Sequence, residues 1–438
     1  MSRIFRRLLS VATLSALVLT MVGQSPALAQ AKPSGAITVW AWKPIWDAVT
    51  NQKLMEAFNK QYPDIKVTPI TYGTGDVYQN LQIALTAGTG APDVSLIEDS
   101  HIGQFVNLGG LTDLTDLVKP FSDKIVPYKF EQTSKDGKIY GMPWDVGPVV
   151  TYYRRDVFQK AGLATDPDGV SKLVDTWDHY LATCQIILTK TQLPCLEASK
   201  ANNDARLYEM MLWQQGLGYV DNTGKVTIDS ADNVATLEEL GKFWTAGVTA
   251  DQKPWTDGWY ADFASTDKPV ATEVEASWMG GNFKGWIAPK TVGVWGVAQM
   301  PAMKAGQVRS ANDGGSTFVI PDQTKNKDAA WAWVNFMVGT VDSNNAFFRD
   351  QNIFPGLTAS YTGDDYTAAD PYFAGQVVGK AYIDAAKIIP AASVYGQHYQ
   401  EINGFVATAI QKFATGASSA ADALKEAADA VRSADSLK

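Results

Sequence analysis

The chain has 438 residues, 46% of them hydrophobic, and a formal charge of −9. An acidic chain without a basic run argues against nucleic acid and anionic membrane surfaces as partners. The three histidines, His101, His179 and His398, stand apart from cysteines and acids at ligand spacing, so neither a metal site nor a cofactor is expected.

Arg3, Arg6 and Arg7 precede an apolar run over residues 8–22. The segment SPALAQA follows, with small-residue cleavage sites at Ala27-x-Ala29 and Ala29-x-Ala31. This pattern predicts a secretory signal peptide over residues 1–31, with an apolar part too short to span a membrane. Losing three arginines takes the mature charge to −12. No cysteine follows the cleavage sites, so no lipid anchor is indicated and the mature chain is expected free in the periplasm. Its length calls for at least two domains.

Residues 37–40 read as a strand. Trp46, Val49, Leu54 and Phe58 then fall at helical spacing up to Pro63, which predicts one helix. Residues 65–70 alternate as a second strand. Asp76 is the expected N-cap of a helix burying Val77, Leu81, Ala84 and Leu85. The turn AGTGAPD leads to a third strand at 94–97. Alternating strands and helices predict a parallel sheet, with ligands beyond its carboxyl edge. That edge holds Trp42 in one loop and Glu98, Asp99, Ser100 and His101 in another.

Next comes YGMPWDVGPVVTYYRRDVF, residues 140–158, where Trp144 and Asp145 stand between prolines. Read alone, the stretch is as consistent with a tryptophan-lidded loop as with a binding segment. A strand at 149–153 and helices at 155–161, 177–188 (introduced by Thr176) and 232–244 follow. The loop KPWTDGW precedes a strand at 269–275 and then SWMGGN. Strands at 295–300 and 316–320 flank Gly314 and Gly315. Apolar helices at 331–338 and 406–413 follow. A last helix from Ser418 or Ser419 should bury Ala421, Leu424, Ala428 and Val431. Cys184 and Cys195, in an exported chain, are expected to form a disulfide.

Of fourteen tryptophans, Trp42, Trp144, Trp255, Trp259 and Trp278 have glycine or acid neighbours in loops. Flat aromatic faces beside carboxylates suit pyranose rings, which stack through C–H bonds and donate hydroxyl hydrogen bonds. No G-x-S-x-G, H-E-x-x-H or P-loop motif is present. Gly73-x-Gly75 and Gly88-x-Gly90 lack the third glycine of a dinucleotide fingerprint.

The ordered set TVWAW, APDVSLIEDSHIGQF, YGMPWDVGPVVTYYRRDVF, TWDHYLA, EASWMGGNF and the glycine pair before FVIP closely resembles extracellular solute-binding proteins of family 1. These are the saccharide-binding components of ABC importers related to maltose-binding protein. The resemblance spans the whole mature chain. It implies a two-lobed α/β periplasmic-binding-protein fold of type II character, with a hinged cleft between lobes. The lobes would comprise residues 32–146 with about 318–366, and 147–317 with about 367–438. It further implies a monomeric receptor, not an enzyme, that passes a saccharide to ABC permease subunits in the inner membrane. Carried onto this chain, the ligand set is Trp42, Asp99, Ser100, His101, Trp144, Asp145, Gly147, Trp278, Gly280, Gly314, Gly315 and Tyr395. Tyr395 comes from the loop at 392–398. Ser100 and His101 depart from the acids and arginine of maltose-type members, which puts maltodextrin specificity in doubt. Two alternatives stay open: a secreted glycan-active hydrolase, and the same fold binding a polyol or another small metabolite.

Overall fold

A computed structural model describes residues 32–201, 204–221, 223–390, 395–396 and 398–434. The expected signal peptide, and residues 392–394 and 397 of the expected Tyr395 loop, lie outside them. Among the described residues the strands in chain order are β1 Gly35–Trp42, β2 Ile65–Tyr72, β3 Val94–Glu98, β4 Ser134–Lys135, β5 Lys138–Ile139, β6 Met142–Pro143 and β7 Asp145–Val146. Then come β8 Val149–Arg154, β9 Leu196–Glu197, β10 Thr249–Ala250, β11 Thr272–Ala276, β12 Trp295–Gln299, β13 Ser316–Val319 and β14 Phe354–Pro355.

The first sheet has the order β2-β1-β3-β13-β6. Its β2-β1-β3 part is parallel, as expected, with Gly35 opposite Ile65 and Val39 opposite Val94. β13 runs antiparallel to both β3 and β6, so the whole sheet is mixed. In β3 the first four residues are all buried, which is why it reads as a continuous apolar run.

The second sheet has the order β10-β9-β11-β8-β12, with β8 antiparallel to both of its neighbours. The Tyr399–Ala414 and Ala420–Ser433 helices share a core with this sheet. Each sheet carries its own apolar core, and together they form the two lobes of the fold.

Several local expectations need correction. The single helix over residues 46–58 is two helices, Lys43–Asn51 and Leu54–Gln61, broken where Lys53 takes φ 53°. The break lets Trp46 and Phe58 both pack on Trp333, with ring centroids 5.9 and 4.9 Å away. Asp76 is not an N-cap: the Thr74–Ala87 helix starts after Gly73, and Asp76 lies in its first turn, where its charge still suits the helix dipole. In the last helix Ala421 is exposed, while Ala420, Ala423 and Ala427 join Leu424, Ala428 and Val431 on the buried face.

The expected caps at Thr176 and Ser419 are present, each hydroxyl accepting from the amide three residues on. Cys184 and Cys195 are bonded and fully buried, tying the Trp177–Thr191 helix to the start of β9.

Candidate ligand-binding cleft

The site begins where the chain changes lobes. Residues 143–149 leave the first sheet for the second, and residues 299–316 bring the chain back. The two segments run side by side. Asp313 N donates to Gly147 O (2.8 Å), Val149 N to Ala311 O (3.0 Å), and Gly147 N to the Asn312 side chain (2.9 Å). β14 pairs with β7 along the same seam, setting Pro355 opposite Asp145.

This pairing explains Gly147 differently from the sequence reading. A Cβ there would collide with the Asp313 carbonyl, so the glycine admits the second crossover rather than a ligand. Trp144 is corrected likewise. It is 1% exposed and packs on Phe318 and Phe347 in the first-lobe core.

Asp99 and Asp145 are also sealed in. Asp99 is fully buried, paired with the equally buried Lys129 and accepting from Thr317 Oγ1 at 3.1 Å. Asp145 faces the same ammonium; burial raises its carboxyl to about 6, while Lys129 and Ser316 pull the other way. Burial lowers the Lys129 ammonium to about 8, against the pull of Asp145 and Glu98. Gly315 has φ 106°, and a side chain there would enter this cluster. These residues therefore build the crossover. They do not line an open cleft.

The second-lobe wall is built around Trp278. It starts the short Trp278–Asn282 helix that follows β11 and is half-buried, and its Nε1 donates to Asp313 O at 3.1 Å. Trp255 stacks against it with centroids 5.8 Å apart and stays 41% exposed, in a left-handed backbone conformation at φ 64°. Such a φ is uncommon for a bulky non-glycine residue. Arg206 lies over both rings, 5.6 and 5.7 Å from their centroids, and donates to Asp313 Oδ2 (3.0 Å) and Glu275 Oε2 (3.4 Å). Gly314 N donates to Tyr395 OH at 2.9 Å, which brings Gly314, Tyr395, Asp313 and Trp278 together. Gly280 instead is buried packing, its amide bonded to Tyr152 OH at 3.1 Å.

Opposite stands the end of β3. Glu98 caps the Asp99–Leu108 helix through Ser100 N. Ser100 Oγ bonds Glu98 and lies 2.9 Å from His101 Nδ1, and the His101 ring stacks on Tyr78 at 3.8 Å. Burial works to raise the Glu98 carboxyl, but hydrogen bonds from His101 and Ser100, with the His101 and Arg206 charges, hold it below the usual value. Gln400 reaches from the second lobe to donate to Ser100 Oγ at 2.9 Å, so the lobes touch here. Trp42 ends β1 half-buried, its Nε1 without a partner among the described residues.

Arg206 was not among the expected ligand residues, and Trp255, one of the five loop tryptophans suited to a pyranose, was not in the set carried over from the family. Trp255 had a signal, the tryptophan-bearing loop KPWTDGW; Arg206 had none, since only folding sets it against acids distant in sequence. Among the described residues no helix is long and apolar enough to cross a membrane.

Comparison with known proteins bears on this geometry. Residues 44–342 match the family model described as bacterial extracellular solute-binding protein. The arabinooligosaccharide-binding protein of Bacillus subtilis (strain 168) is 31% identical over 314 residues, 70% of each chain. The lactose-binding protein of Rhizobium radiobacter is 27% identical over 411 residues, 92% of each. The binding protein of B. animalis subsp. lactis Bl-04, solved with beta-1,6-galactobiose, superposes with a TM-score of 0.75 at 24% identity, covering 91% of this chain and 97% of that one. This chain therefore belongs to the bacterial extracellular solute-binding proteins.

Proposed function

We propose that the chain captures a saccharide between its lobes and hands it, chemically unchanged, to an ABC permease in the inner membrane. The observation that carries this reading is the wall of Trp255 and Trp278, two near-parallel rings left partly open and held by Arg206. A pyranose can lay its C–H face on these rings while its hydroxyls reach Glu98, Ser100 and Arg206. Relatives named for arabinooligosaccharide and lactose binding support the ligand class. Residues 1–31 are proposed to be removed on export, leaving a monomer in the periplasm without a lipid anchor.

A thermal-shift screen against arabino-oligosaccharides, lactose and beta-1,6-galactobiose tests the reading. Ligand at 100 times Kd should add about 2.7 kcal/mol of stability. Recovery of the sugar intact after long incubation separates a receptor from a hydrolase.

A further inference from the structure

β11 is TEVEA, buried along its length, and the two-residue period of a strand puts Glu273 and Glu275 on one face. β9 adds Glu197 beside them, and Asp204 precedes the Arg206–Trp213 helix. These four acids line a cavity with Arg206, walled by Trp255 and Trp259. Its volume is about 20 Å³, room for one water-sized group and far too little for a sugar ring. The cavity shares Trp255 and Arg206 with the open aromatic wall. A substituent of a ring lying on that wall could therefore enter it.

Among the described residues, four acids line the cavity against one cation. Arg206, the cation in its lining, is already bound to Glu275 and Asp313. Glu273 is 7% exposed, and its Oε2 has no hydrogen-bond partner among the described residues. Burial, then the Glu197 and Asp204 charges, push the Glu273 carboxyl well up; burial and Asp262 push Glu197 to about 9. A hydroxyl would offer one donor and no charge, whereas an ammonium offers three donors, a full charge and attraction to the aromatic walls.

We propose that this cavity receives a primary ammonium group, which makes the ligand an amine-bearing saccharide. The amino-sugar half rests on the saccharide reading above; the ammonium site does not. Thermal unfolding with methylammonium chloride, against tetramethylammonium chloride at equal ionic strength, tests the site without knowledge of the sugar. At 100 mM, about ten times a 10 mM Kd, methylammonium should raise the Tm of the native protein by about 2 °C. Tetramethylammonium, too large to enter, should not, and Glu273→Gln should abolish the shift; if that variant does not fold, Glu197→Gln reads the same loss. Equal shifts from both salts, or a shift kept in the variant, would overturn the ammonium site. Calorimetry with glucosamine and galactosamine against glucose and galactose then tests the ligand. An amine preference of at least ~10-fold in one pair, lost in Glu273→Gln, supports the proposal, and neutral sugars binding as tightly overturns the amino-sugar half. A methylammonium shift with no sugar bound would retain the cavity's role and remove the saccharide reading.

Discussion

At the crossover, Trp144 and Asp145 are closed in by the chain's own side chains, while on the second-lobe wall Trp255 and Trp278 keep part of their faces open. Both regions combine tryptophan, carboxylate and glycine. The crossover sets Asp99 and Asp145 against Lys129 in the dry interior, and its glycines admit backbone. The wall holds Arg206 against acids but leaves ring faces, and at Glu273 an acceptor, unused. Residue type alone does not mark a ligand contact. On the proposed function, what marks one is an interaction surface that the fold leaves unfilled.

The sharpest break of this comparison is Trp144→Ala. Removing a buried tryptophan should cost about 3–5 kcal/mol in urea unfolding, with ligand affinity within threefold of native. Lost affinity with retained stability would reverse the two regions.

A pH series comes next. Burial raises the Glu209 carboxyl to about 7, although Tyr399, Tyr219 and Asn403 donate to it; Asp145 and Glu197 are raised to about 6 and about 9. Groups whose folded pKa exceeds the unfolded value contribute stability at low pH and lose it as pH rises through the folded value. The melting temperature should therefore fall from about pH 5 to about pH 9, less steeply above about pH 8, where the lowered Lys129 pKa works in the opposite sense. Glu209→Gln keeps an acceptor for its three donors and should remove a slope worth on the order of 3 kcal/mol between about pH 4.5 and pH 7. An unchanged slope in the variant would show that Glu209 titrates normally.

Trp255→Ala should weaken saccharide binding by about 1–3 kcal/mol and leave stability within about 0.5 kcal/mol. The smallest effect belongs to Asp145→Asn. Its carboxyl is buried beside Lys129, so affinity should stay within threefold; a ~10-fold loss by calorimetry would return Asp145 to the cleft.

Much of this architecture was legible in local pattern. The β1, β2 and β3 periodicities, the Thr176 and Ser419 caps and the Cys184–Cys195 pair each depend on residues close in sequence. The crossover depends on partners far apart: Gly147 meets Asp313, and Asp145 meets Pro355. A G-P-punctuated segment cannot reveal that its glycine faces another backbone. The same limit hid Arg206, whose acids come from β11 and the second crossover, and the left-handed turn that holds Trp255 outward. Loop context pointed to Trp278 and Trp144 and the family resemblance added Tyr395 and Gly280; Trp278 and Tyr395 do sit together, whereas this chain uses Trp144 and Gly280 as packing.

The central claim is that the second-lobe aromatic wall holds a saccharide. Calorimetric titration of the native protein and Trp278→Ala with arabino-oligosaccharides, lactose and beta-1,6-galactobiose tests it most directly. The account predicts one saturable site for at least one of these sugars, recovered intact, with affinity reduced about 10- to 100-fold in the variant. Binding unaffected by the loss of Trp278, or no saccharide binding at all, would contradict it.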